Sequence, residues 1–69
     1  MSFDANSAQC AEIVMLIGEL MVPADFVTQS LCLVAGISTD WQGQSINAWL
    51  ASLTDESAAT VIRNLQSYL

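Results

Sequence analysis

Two carboxylates, Glu12 and Glu19, and two thiols, Cys10 and Cys32, come nearest to a chemical constellation in this chain. The glutamates stand seven positions apart, roughly 10.5 Å along a helix. Two carboxyl groups at about such a distance can serve an inverting hydrolysis, one as acid and one as base toward water. A chain of 69 residues leaves little room for the cleft a sugar would need, so the pair reads more simply as solvated charge on a thin polar strip. Neither cysteine has a base or a cation beside it in the sequence, which a nucleophilic thiolate requires. There is no His for general acid–base work. Two distant cysteines without His do not make a metal site, and no EF-hand loop, P-loop or Gly-rich phosphate cradle occurs. The expectation is a protein that is not an enzyme, with no cofactor, no metal and no small-molecule substrate.

The bulk properties point to association instead. One short domain buries only ~60% of its unfolded surface. Yet 54% of the residues are hydrophobic and 12% are charged, against a usual ~45–50% and ~25%. Exposed apolar surface beyond what a small core can hold marks a binding site. The net charge is −6, from seven acids and a single Arg63, with no Lys. That balance lacks the basic footprint of a nucleic-acid binder and is repelled by anionic membranes. The opening MSFDANSAQ has no positive segment of the signal-peptide kind. No apolar run reaches the ~20 residues of a bilayer span, because Glu19 and Pro23 interrupt the longest one. A cytoplasmic location is expected, where two reduced thiols fit.

The elements that position these residues are all helical. Residues 1–6 read as a flexible lead-in and 7–69 as a single α-helical interaction domain. Asn6 or Ser7 caps a first helix, with Gln9 as capping-box partner, and the helix runs to about Met21. Its stripe is Cys10, Ile13, Val14, Ile17, Leu20 and Met21, with Met15 and Leu16 off it. Pro23 suits the first position of a second helix, with Asp25 in its first turn, ending at Gly36. Two apolar faces appear on each of these helices, so they are read as a hairpin, 7–35, that is buried on two sides. Folding back at Pro23 would bring Cys10 and Cys32 to similar heights. A bridge is then conceivable, although two thiols acting as small hydrophobes is the simpler reading.

Residues 36–43, GISTDWQG, are turn chemistry in which Thr39 and Gln42 can cap a short turn around Trp41. A third helix is predicted over Gln44–Ser52 with Ile46, Trp49, Leu50 and Leu53 on one face. Thr54 caps a fourth, whose first turn holds Asp55 and Glu56 and whose apolar face ends in Tyr68 and Leu69. The fold class predicted is all-α, a small bundle of four short helices. The hairpin is covered on one side by the two amphipathic helices, and its free side supports a homodimer or a partner helix.

No family is identified from these residues. In size and helix count the chain resembles the small docking modules that join subunits of multienzyme synthases. The run LTDESAATVIRNL resembles helices of armadillo-type motor proteins. Both likenesses rest on a capped amphipathic helix and carry over no site residue. The function expected is a non-catalytic docking, adaptor or assembly module that binds a protein partner, itself, or both. Its contact residues would be Met15, Leu16, Leu20, Phe26 and Leu33, with Trp41 at the rim. On that expectation Leu16→Asp abolishes binding. The alternative is a small acidic antagonist of mobile-element type that blocks a host enzyme or imitates nucleic-acid charge.

Overall fold

The computed structural model describes residues 4–69. Four α-helices follow in order: α1 (Ser7–Glu19), α2 (Gln29–Ala35), α3 (Ile46–Ser52) and α4 (Asp55–Gln66). One turn of 3-10 helix, Thr39–Trp41, lies between α2 and α3. Among the described residues, extended pairing is confined to two isolated bridges, Asp4 with Thr54 and Phe26 with Ser45. The all-α class and the four helices agree with the sequence pattern.

The first helix starts where its cap chemistry requires. The Asn6 side chain accepts from the Gln9 amide at 2.8 Å, and the Asn6 amide donates back to Gln9 Oε1 at 3.2 Å, which satisfies two otherwise orphaned donors. Gln9 Nε2 also donates to the Asp55 carbonyl at 3.1 Å, tying the start of α1 to the start of α4. Part of the expected lead-in is held as well: the Ala5 amide donates to the Leu53 carbonyl at 3.0 Å. Residues 1–3 of it lie outside the described residues.

The helix ends two residues earlier than its apolar pattern. Met21 has φ 61°, the left-handed region. Its amide donates to the Gly18 carbonyl at 3.0 Å and the Val22 amide to the Ile17 carbonyl at 3.1 Å. These two bonds form a Schellman cap, with Met in the place glycine usually takes.

The second helix is a correction. It begins at Gln29, not Pro23, and Asp25 is not in its first turn. Instead 25–27 pairs with 43–46: the Val27 amide donates to Gln44 O and the Gly43 amide to Val27 O, each at 2.8 Å, and the Ile46 amide donates to Asp25 O at 3.1 Å. Pro23 tolerates either role, but this pairing satisfies backbone groups that a helix terminus would leave open. Alternation then sends Val27 inward and Phe26 outward. Thr28 caps α2, its hydroxyl accepting from the Leu31 amide at 3.1 Å. Gly36, φ 71°, closes it in the left-handed conformation, as its sequence position predicts. Across this junction Asn64 of α4 donates to the Ala35 carbonyl at 3.0 Å.

Ser45 caps α3, accepting from the Asn47 and Ala48 amides, and Thr54 caps α4 as the sequence indicates, accepting from the Ser57 amide at 3.1 Å. The last helix stops at Gln66, so Tyr68 and Leu69 leave its apolar face and stand exposed.

Packing corrects the expected hairpin. The first two helices do not pair along their lengths; α4 is the shared partner, packing most extensively on α1 and also on α2, which in turn touches the 3-10 turn. The core is drawn from all four α-helices and the segment before α2: Ile13 and Ile17 of α1, Val27, Leu31 of α2, Trp49 of α3, and Leu65 of α4 are its largest buried side chains. Each contributes roughly 1.5–3 kcal/mol of transfer free energy. The Cα radius of gyration is 10.8 Å, against about 11 Å expected for a compact chain of this length. The accessible surface is 4290 Å², close to the roughly 4,200 Å² of a folded monomer of this mass. The surplus of apolar residues is therefore not a general failure to bury; it is confined to particular side chains.

Candidate interaction surface

Glu12 is half-buried and Glu19 exposed on α1. Both thiols are free, Cys10 half-buried and Cys32 buried, and Cys32 Sγ contacts the Ser38 carbonyl at 3.8 Å. Among the described residues no three His, Cys, Asp or Glu side chains come together as a metal site. No helix among them is long and apolar enough to cross a membrane.

An open cleft of about 380 Å³ lies between the end of α2, the 3-10 turn, α3 and α4. No ionisable side chain lines it. Each of its four hydroxyls makes a hydrogen bond within the fold. Ser52 donates to the Trp49 carbonyl at 2.6 Å and Thr60 to the Glu56 carbonyl at 3.1 Å. Ser38 accepts from the Asp40 amide at 3.3 Å, and Ser57 accepts from Thr54 Oγ1 at 3.0 Å. The lining mixes these hydroxyls with Ala35, Ile37, Trp41, Trp49, Leu53 and Val61 and holds no charged group that would fix a ligand.

The expected contact residues fall into three groups. Met15, Phe26 and Leu33 are exposed, at 51%, 59% and 74%. They belong to α1, the extended segment and α2 respectively. Leu20 is half-buried against the core, and Trp41 is half-buried on the 3-10 turn, where it packs on the core and lines the cleft. Leu16 is interior, 3% exposed, so a partner cannot reach it without opening the core. The expected α1 stripe holds at Cys10, Ile13, Ile17 and Leu20 and is corrected at its edges, where Val14 and Met21 are exposed and Leu16 is buried. Counting about 100° per residue, the arc centred on Ile13, Ile17 and Leu20 takes in Leu16 on one flank and leaves Val14 on the other, exposed side.

The opposite side of α1 is the coherent surface. Ala8, Ala11, Val14, Met15 and Gly18 are all exposed, and on the helical wheel they share one face. None of these five is charged or polar, and Ser7 in the first turn is the one polar residue lying among them on the wheel. Ala8, Ala11 and Gly18 escaped the sequence reading because small residues carry little hydropathy; the signal was their spacing of 3 and 7, a helical face. A β-carbon placed on Gly18 would meet nothing within 4 Å, so this part of the face is open. On α2, by contrast, Leu33 shares its outward side with Gln29 and Ser30, all exposed. Comparison with known protein families, characterised proteins and solved structures finds no match to this chain.

Proposed function

We propose that this chain is a non-catalytic protein–protein interaction module that docks through the outward face of α1. The observation that carries the reading is the two-sidedness of that helix. One side supplies Ile13, Leu16 and Ile17 to the core, and the other presents an uncharged ridge of Ala8, Ala11, Val14, Met15 and Gly18 to solvent. A helix that needed only to cover its own core would carry polar residues there. Small residues flanking Val14 and Met15 suit close approach of a second helix, at an interaxial distance of about 8–10 Å. Two occupants fit such a ridge: a second copy related by a twofold axis, or an amphipathic helix of another protein. Such a surface is compatible with a docking, adaptor or assembly role in a larger complex. The antagonist reading rests on net charge alone, and the seven acids come from the N-terminal segment, α1, the extended segment, the 3-10 turn and α4.

The test compares wild type with Met15→Glu and Leu33→Glu in sedimentation and in capture of cellular partners. Both positions are exposed, so both variants fold. Association lost in Met15→Glu and retained in Leu33→Glu supports the α1 face. Association lost equally in both, or in neither, refutes it.

A further inference from the structure

We infer that the α1 ridge receives a helix of another protein whose apolar stripe is edged by Lys or Arg, in preference to a second copy of this chain. The inference rests on the docking reading above and adds the chemistry of the occupant. On the helical wheel the ridge Ala11, Met15 and Gly18 is bordered on one side by Glu12 and Glu19. These are the only charged residues on α1, and they lie seven positions apart, roughly 10.5 Å along the axis. A partner helix lying along the ridge with cations spaced two turns apart meets both.

A second copy supplies no such cations. The chain has no Lys and no His, and its one Arg, Arg63, is exposed on α4. On the wheel of α4 it lies opposite Ala58, Val61 and Leu65, the residues that helix buries. An antiparallel twofold pairing across the ridge brings Glu12 and Glu19 of both copies to one seam, and a parallel pairing sets them on opposite edges, where the facing helix offers them no cation. Either pairing also adds one net charge of −6 to another. Like charges at an interface edge suppress a partner, and complementary ones select it.

The probes are three labelled synthetic helices of about 18 residues, sharing one Leu/Ala stripe and flanked by Lys, Gln or Glu. Binding to the full chain is read by fluorescence anisotropy, alongside sedimentation of the chain alone. The expected result is a monomer that binds the Lys helix at least about tenfold more tightly than the Gln helix, with the Glu helix weakest. Glu12→Gln with Glu19→Gln should erase the Lys preference while leaving Gln-helix binding unchanged. Ala11→Gln with Met15→Gln should weaken all three.

Equal binding of the three helices, or a stable homodimer through α1, overturns the inference and leaves the docking face standing. Lys-helix binding that ignores Ala11→Gln with Met15→Gln and vanishes at about 0.5 M salt is general adhesion to an acidic protein, and it overturns the inference too. Binding of none of the three, without a dimer, overturns both.

Discussion

Met15 and Leu16 are sequence neighbours with opposite duties, and truncating each to Ala separates them. Leu16 is 3% exposed within the core, whereas Met15 is 51% exposed on the outer ridge. Removing a buried leucine side chain costs the transfer free energy plus the cavity left behind, about 2–5 kcal/mol. A domain of this length has roughly 3–10 kcal/mol in all, so Leu16→Ala should forfeit a large share of its stability. Met15→Ala removes a side chain already half in water and installs a better helix former, for a net change within about 0.5 kcal/mol. Urea denaturation followed by circular dichroism reads both. With a slope near 1 kcal/mol per molar for so small a chain, the Leu16→Ala midpoint should fall by about 2 M or more and the Met15→Ala midpoint should hardly move. If Leu16→Ala shows no fold at all, Leu16→Val gives a graded loss that keeps the comparison. Equal midpoints for the two Ala variants would refute the assignment of inner and outer faces. The same burial means that Leu16→Asp, the natural probe from the sequence, would report on folding and not on binding.

Three further outcomes test the local structure. Met21→Gly should raise stability by about 0.5–1 kcal/mol: the left-handed conformation costs a side-chain-bearing residue about 1–2 kcal/mol, part of which glycine returns as chain entropy. Met21 is 91% exposed and loses no packing, so thermal unfolding should rise by a few degrees, and a fall would mean that α1 ends otherwise. Gly36→Ala should destabilise by about 1–2 kcal/mol, because φ is 71° and the new β-carbon would meet Asn64 Nδ2 at 3.1 Å; an unchanged melting temperature would disprove that cap. Thr28→Ala should cost about 1 kcal/mol as a lost N-cap, whereas Asp25→Asn should cost little, and the reverse order would restore a helix starting at Pro23.

Much of this architecture was readable because caps are local chemistry. Asn6 with Gln9, Gly36, and Thr54 with its two acids each named a helix end from adjacent residues alone. The stretch from Pro23 to Thr28 was not readable, because its competitor for backbone bonds, 43–46, lies far along the chain. Pro23 satisfied the rules for a helix start, and only the distant pairing outcompeted them. The hairpin was lost for the same reason: which helix α1 packs on depends on α4, and Gln9 reaching the Asp55 carbonyl leaves no mark in the sequence near either residue. Of the expected contact set, Met15 was placed off the α1 stripe and Phe26 and Leu33 on the second apolar face of the following segment, and all three are exposed. Leu16 was misplaced because Val14 and Leu16 compete for the edge of one arc, and hydropathy ranks them alike.

The last helix in chain order is the one around which the first is built. During synthesis, at about 5–20 residues per second, α1 leaves the ribosome well before the segment that shields Ile13 and Ile17 exists. For that interval both flanks of α1 are bare, and the nascent polypeptide is at its most adhesive. A chaperone or a waiting binding partner would find the same helix more accessible then than at any later moment.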